Sequence, residues 1–540
     1  MGKTEEHNMY DYEKVREEFE WNVPEYYNFG FDVIDQRAEE FPDKDALISI
    51  DNSGKNAQRH TFENLKELSN KFANALREMD VQKGDRAMVL IHRIPEWYIA
   101  VLGMIKLGVI PIPTPNLSTA KDIEYRVNKS EAGTIITDYS NHEKVEKVRD
   151  ELESLDNFIL VNGEKEGWTS YEEIMNDASK ELDRDDIEPT KHDDPLLIYF
   201  TSGTTSYPKM VLHTHSYPIG HTVTAKYVQD LRPGDTNWTI ADNGWAKTAW
   251  GKLFGQWIIG ATVVQQNITG KFDPKKTLQI LEDYQITTFC VPPTIYKMMI
   301  NEDIDQYDLS SLRHCLSAGE PLNPDVIDKW EEYTGLRIYD YYGQTESVAL
   351  VANYPTMEIK PGSMGKPTPG HNVEIIDDNG NIKEIGEEGH IAVKVKPERP
   401  PGIFKEYWKD KDKTEQVFYK DWYYTGDRAY KDEDGYFWFV GRADDVIKAS
   451  GYRIGPFEVE SALQEHPAVQ ENAVIGAPEE IRGKVVMAYI ILNEGYEASE
   501  DLKKELQDHV KEVTAPYKYP RKIEFVDELP KTISGKIRRT

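Results

Sequence analysis

Short buried apolar runs alternate with helix-patterned stretches through the first third of this chain, and that rhythm narrows the fold more than any other feature. Phe62 to Arg77 carries apolar residues at helical spacing, and the turn at Gly84 and Asp85 leads into the strand-like run Ala87 to Ile91. A second helical pattern covers Pro95 to Leu107, and a second strand pattern covers Gly108 to Ile112. Strand, helix and strand in this order predict parallel sheets covered on both faces, an α/β architecture. The same rhythm is expected around Leu196 to Phe200, Lys275 to Tyr284 and Thr287 to Val291.

From about residue 362 to 440 the pattern changes. Short alternating segments such as His390 to Val395 and Tyr436 to Val440 are divided by turn residues at Asp378–Gly380 and Asp434–Gly435. These predict a β-rich subdomain. The remaining hundred residues read as a small α+β domain. The expected division is a large domain over 1–443 and a small one over 444–540. With 540 residues, the chain needs more than one core.

Composition excludes several roles. Lys and Arg number 64 against 95 Asp and Glu, a net charge of −31, which disfavours nucleic acid or an anionic membrane as partner. The two cysteines, Cys290 and Cys315, cannot build a disulfide framework or a multi-cysteine metal site, and read as core. No apolar run reaches the roughly 18 residues that a membrane span requires. With a polar N-terminus lacking the apolar core of a signal peptide, this gives the expectation of a cytoplasmic protein. Homo-oligomerisation is compatible with all of it.

Four segments carry chemistry. Thr201, Ser202, Gly203, Thr204, Thr205, Ser206, Tyr207, Pro208 and Lys209 follow a buried strand; such a loop can offer backbone N–H groups, hydroxyls and one ammonium to phosphate oxygens. It lacks the second glycine and the final hydroxyl of the P-loop. Tyr341 to Glu346 ends in a Thr–Glu pair suited to a phosphate and to Mg²⁺. Thr425, Gly426 and Asp427 precede Gly441, Arg442 and Ser450 to Arg453; Asp427 suits ribose hydroxyls and an arginine suits phosphate. Pro530 to Arg539, taken alone, is a solvated basic tail. His213 and His215 lack metal-ligand spacing and read as structural.

In this order and at these separations the four segments resemble the acyl-adenylate-forming superfamily of acyl-CoA synthetases, peptide-synthetase adenylation domains and luciferases. Ser317 to Pro321, Asp242 to Trp245 and Gly441 to Lys448 make the chain most similar to medium-chain acyl-CoA synthetases. The resemblance implies that Thr201 to Lys209 holds the β- and γ-phosphates of ATP. It implies that Gly319, Glu320, Pro321, Asp340, Tyr341 and Tyr342 flank adenine, that Thr345 meets the α-phosphate and that Glu346 binds Mg²⁺. Asp427 would take the ribose, Arg442 and Arg453 would lie near the nucleotide, and Gly451 would line the tunnel for coenzyme A. Lys536 matches the catalytic lysine, which reverses the tail's bland reading, and Asp444 matches the hinge about which the small domain turns.

The acyl pocket would include Trp245, Lys247, Thr248 and Gly343, with Trp250 nearby. Acetyl-CoA synthetases in this family carry tryptophan at the position of Gly343, so glycine implies room for a longer or branched acid. Tyr207 departs from the small residue usual in the loop. The expected activity is an AMP-forming acyl-CoA synthetase acting on a medium-chain or branched acid, with ATP, Mg²⁺ and coenzyme A. Alternatives are a propionyl, butyryl or aryl ligase, an adenylation protein loading a carrier protein with Asp242 receiving a substrate amine, and a silent nucleotide sensor.

Overall fold

The computed structural model describes residues 7–201, 208–319, 324–442, 445, 447–449, 452–479, 483–514, 516–531 and 537. Two sheets with parallel cores dominate the large part. One has nine strands, and at its centre Thr236–Thr239, Thr288–Cys290, His314–Ala318 and Ile338–Gly343 lie side by side in parallel. The other has five parallel strands in the order Ile110–Pro113, Arg86–Leu90, Thr134–Asp138, Asn157–Val161 and Thr169–Ser170. Their apolar runs are buried on both faces, as the near-continuous hydrophobic strands predict.

Between the sheets pack Phe62–Glu78 and Pro95–Leu107. The first is started by a capping box between Thr61 and Asn64, and the second by Pro95 at its first turn and stopped by left-handed Gly108. Pro95–Leu107 is buried on almost every side, which explains why its sequence is apolar all round.

One segment departs from the expected rhythm. Pro195–Phe200 does not join a parallel sheet; it pairs antiparallel with Met210–Thr214, which also pairs antiparallel with Glu406–Tyr407. Only nine residues separate Phe200 from Met210, too few for a crossover helix, and the antiparallel pairing makes the two strands a hairpin. The β-rich region forms an antiparallel sheet of Val373–Ile376, Gly389–Lys394, Phe418–Tyr419, Trp422–Lys431 and Phe437–Arg442. The last part is α+β: Val469–Glu479, Gly483–Leu492 and Lys522–Phe525 form a sheet packed by Pro456–Gln464 and Glu500–Val513.

The N-terminal segment straps distant parts together. His7 Nδ1 and the Asn8 N–H meet the Asp230 carboxylate at 2.9 and 2.8 Å. The Tyr12 hydroxyl donates to the Pro367 carbonyl and the Trp21 indole to that of Gly370, each at 2.9 Å. Gly370 is left-handed (φ +75°) and lies against the Phe19 and Trp21 rings, leaving no space for a side chain. Among the described residues no helix is long and apolar enough to cross a membrane.

Candidate functional site

The carboxyl ends of the four central parallel strands share one edge, where open α/β sheets bind ligands. Thr236–Thr239 leads to Asp242, Trp245, Lys247 and Thr248; His314–Ala318 leads to Gly319; Ile338–Gly343 leads to Thr345 and Glu346. Gly319 is left-handed at φ +100°, a conformation that favours glycine.

Residues Gln344 to Ser347 form a turn fixed from several sides. Ser347 N–H donates to the Gln344 carbonyl at 3.1 Å, and the Gln344 N–H donates to Ser347 Oγ at 3.0 Å. His213 Nε2 donates to the Thr345 carbonyl at 2.7 Å, and the Phe404 N–H to the Glu346 carbonyl at 2.9 Å. The Tyr407 hydroxyl donates to Glu346 Oε1 at 2.8 Å. Burial pushes the Glu346 carboxyl up, while the Tyr407 hydrogen bond and the charges of Lys209 and Arg442 pull it back down. Lys209 Nζ stands 4.6 Å over the Tyr407 ring. The Thr201 N–H donates to the Lys209 carbonyl at 3.0 Å, and the Lys209 N–H to Thr201 Oγ1 at 3.3 Å. Thr201 and Lys209 therefore close a hairpin whose lysine end and Glu346 converge on Tyr407.

Asp427 lies across the same turn. Its Oδ2 accepts from the Tyr342 hydroxyl and from Gln344 Nε2, each at 2.6 Å, and it stands in register opposite Arg442, which is exposed. Gln344 also accepts from the Tyr423 hydroxyl at 2.8 Å and donates to the Thr425 carbonyl at 2.9 Å. The carboxylate is thus preorganised against the sheet edge. The half-buried Asp340 carboxyl is pushed up to about 8 by burial, opposed by its own neighbour's N–H and by Lys247.

Tyr341 is not at the face expected of it. Alternation along the strand turns its ring into the core, 5.8 Å from Trp250, with its hydroxyl 3.4 Å from Cys290 Sγ. Of the Tyr341–Tyr342 pair, only Tyr342 directs its hydroxyl to the Asp427 side.

The expected acyl pocket differs in two respects. A Cβ at Gly343 would collide with the Trp250 ring and the Val348 carbonyl, so the Trp250 indole already occupies the space glycine leaves. Trp250 is fixed by its Nε1 donating to the Ser347 carbonyl at 3.1 Å. Thr248 is fully buried, and its hydroxyl caps the Asp242 carbonyl at 3.0 Å instead of facing a ligand. Trp245 is half-buried, and Lys247 Nζ donates to the Ala318 carbonyl at 3.2 Å.

Asp242 is held by the second sheet. Its Oδ2 accepts from Asn116 Nδ2 at 3.2 Å with Arg93 at 3.9 Å, and its Oδ1 accepts from the Gly244 N–H at 3.0 Å. Asn141 donates to Asn116 Oδ1 at 2.7 Å, Lys144 donates to the Asn116 carbonyl at 2.5 Å, and His92 Nδ1 pairs with Asp138 at 2.7 Å.

Ser202, Gly203, Thr204, Thr205, Glu320, Pro321, Asp444, Gly451 and Lys536 lie outside the described residues. Arg453 is on the strand Tyr452–Ile454, opposite Lys448. Sequence reading missed Gln344 and Tyr407 and assigned His213 only a structural part. Gln344 stood inside a block already singled out; Tyr407 carried no signal, because only folding brings it to Glu346.

The model for "AMP-binding enzyme" matches residues 34–408, and that for "AMP-binding enzyme C-terminal domain" matches 458–536. Acyl-coenzyme A synthetase ACSM3, mitochondrial, of Homo sapiens is 47% identical over 542 residues, covering 98% of this chain and 92% of that protein. Acyl-coenzyme A synthetase ACSM4, mitochondrial, also of Homo sapiens, is 46% identical, covering 96% and 90%. The crystal structure of the anthranilate CoA ligase AuaEII in complex with anthranoyl-AMP superposes with a TM-score of 0.86 at 32% identity, covering 96% of each chain. These relatives overturn the cytoplasmic expectation: both curated ones are mitochondrial by name. The expectation rested on features that bear on secretion and membrane insertion, which do not discriminate among aqueous compartments.

Proposed function

The chain belongs to the AMP-binding enzyme family, and from that premise we propose an AMP-forming acyl-CoA synthetase whose acid is compact: medium-chain or branched. The observation that carries the reading is the convergence of Lys209, Glu346 and Asp427 about the single turn 344–347. In the first half-reaction a substrate carboxylate attacks the α-phosphorus of ATP and pyrophosphate leaves. A carboxylate is a weak nucleophile, so the protein's work is positioning and charge neutralisation. Lys209 faces the leaving phosphates, Thr345 the α-phosphate and Asp427 the ribose. Lys536 would bridge the carboxylate and the α-phosphate, a cation of the kind that contributes roughly several kcal/mol in a dry site. In the second half-reaction the thiol of coenzyme A attacks the acyl-adenylate and AMP departs, after the small domain turns about Asp444 and carries Lys536 away.

Among the described residues no group of three or more His, Cys, Asp or Glu side chains could hold a metal ion alone. Mg²⁺ fits such a site, since it commonly takes one or two carboxylates and completes its shell with phosphate and water. Glu346 is the carboxylate that would hold it, and the ion would supply charge neutralisation to the phosphates.

Compactness of the acid is supported by Trp250, which moves the pocket wall from position 343 to position 250. The carrier-protein alternative needs Asp242 free for an amine, whereas Asn116, Gly244 and Arg93 already engage it. Acid-dependent pyrophosphate release, with and without coenzyme A, across short, medium, branched and aromatic acids tests the proposal. Turnover should require coenzyme A as acceptor and peak at compact acids. Lys536→Ala should abolish adenylation and spare thioester formation from supplied acyl-adenylate; unimpaired adenylation would overturn the lysine assignment.

A further inference from the structure

We propose that His213 is a positioning residue for adenylation, holding the Thr345–Glu346 peptide through its carbonyl; the inference rests on the roles proposed above for Thr345 and Glu346. The imidazole is fully buried. Its Nε2 lies 2.7 Å from the Thr345 oxygen, and a carbonyl only accepts, so Nε2 carries the proton and the tautomer is fixed. Its face stacks on Tyr217 with centroids 3.6 Å apart and planes 21° from parallel, so the ring cannot turn away without losing that contact.

The strand that carries His213 makes the contact more than packing. Met210–Thr214 begins immediately after Lys209, and its other edge pairs with Glu406–Tyr407, in the register Tyr407 to Val211 and Glu406 to Leu212. This small sheet and the segment leading into its edge strand therefore grip the turn at three points: His213 on the Thr345 carbonyl, the Phe404 N–H on the Glu346 carbonyl, and the Tyr407 hydroxyl on the Glu346 carboxylate. The phosphate-side lysine and the Thr–Glu pair share one rigid mount, and His213 is the only side chain of its strand bonded to the turn among the described residues.

Two substitutions separate the donor from the stack. His213→Phe keeps an aromatic face for Tyr217 but leaves the Thr345 carbonyl without its donor. His213→Gln places an amide N–H near the position of Nε2 and gives up the stack. The Phe variant should lose about ten- to a hundredfold in the kcat of pyrophosphate release, the scale on which small displacements of a reacting group act. Its KM for the acid should stay near that of the parent, and calorimetric titration should show weakened binding of ATP with Mg²⁺. The Gln variant should recover most of both. A purely structural histidine predicts the reverse order, with Gln worse than Phe, and that order would overturn the proposal. If Phe does not fold, His213→Met, of similar reach to Gln but without a donor, replaces it. Thr345→Ala is the reference: if it is impaired while His213→Phe is not, the clamp alone fails; if Thr345→Ala is itself silent, the underlying site reading fails and the clamp with it.

Discussion

The nine-stranded sheet ends its central parallel strands on Gly319, Thr345 and Glu346, next to the hairpin of Lys209 and the carboxylate of Asp427. The five-stranded sheet, also parallel at its core, ends on His92, Asn116 and Asp138, whose polar groups turn inward on one another and on Asp242. Both edges are polar, as carboxyl ends of parallel strands usually are. One edge gathers Lys209, Glu346 and Asp427 about the single turn 344–347, and the other uses its polar groups to hold a loop belonging to the first. Polarity at a sheet edge is therefore not itself a sign of a binding site; what matters is whether the polar groups of different elements are brought together about one point.

The comparison breaks most visibly at position 343. Gly343→Trp forces an indole into the ring of Trp250 and the Val348 carbonyl. Overpacking of this kind costs about 1–3 kcal/mol, and acid turnover should fall about a hundredfold as the pocket distorts. Adding Trp250→Gly to the same chain should restore the melting temperature and shift turnover toward the shortest acids. A single variant with unchanged stability and acid profile would show that Trp250 does not fill this space.

A smaller effect is expected from the holding edge. Asn116→Ala removes the donor to Asp242 and the acceptor for Asn141. The KM for the acid should rise about three- to tenfold, the scale of one net hydrogen bond, while the KM for ATP holds. Equal shifts in both would mean that the network supports the whole edge and not the Asp242 loop in particular.

The smallest effect is on pH dependence. Burial raises the Asp340 carboxyl to about 8 from the ordinary 3.8, so the folded state keeps its proton over a range in which the unfolded chain has lost it. The sign follows: this group's contribution to stability is greatest below pH 4 and declines as pH rises toward about 8. Asp340→Asn should flatten that decline. Urea denaturation at pH 5 and pH 8 should show a smaller loss for the variant than for the parent; an equal loss would mean that Asp340 is ionised in the folded protein.

Local pattern was legible where a single element supplied it. Pro95–Leu107 has the predicted bounds, and Phe62–Glu78 extends its prediction by one residue, because capping and periodicity are local. The strand Pro195–Phe200 was legible as a strand but not in its pairing, because an apolar run does not say whether the chain returns by helix or by hairpin. Within the site, the blocks around Lys209, Glu346 and Asp427 stood out through residue chemistry. Tyr407 did not, and Trp250 stood out only as a neighbour of the pocket, since each acts through a contact made across the fold with residues some 60 to 100 positions away. At Gly343 the sequence does not show which neighbour lines the space that glycine leaves, and the fold puts the Trp250 ring there.

The N-terminal strap has a consequence for synthesis. Its first aromatic residues seat against Pro367 and Gly370, which leave the ribosome some 350 residues later. At about 5–20 residues per second that is a delay of roughly 20 to 70 seconds. During that interval Trp21 lacks the Gly370 carbonyl it donates to, and Phe19 can pack only on Trp21 and, once it is made, on Tyr227. A stall before Gly370 would leave the strap without the carbonyls of Pro367 and Gly370 that fix it.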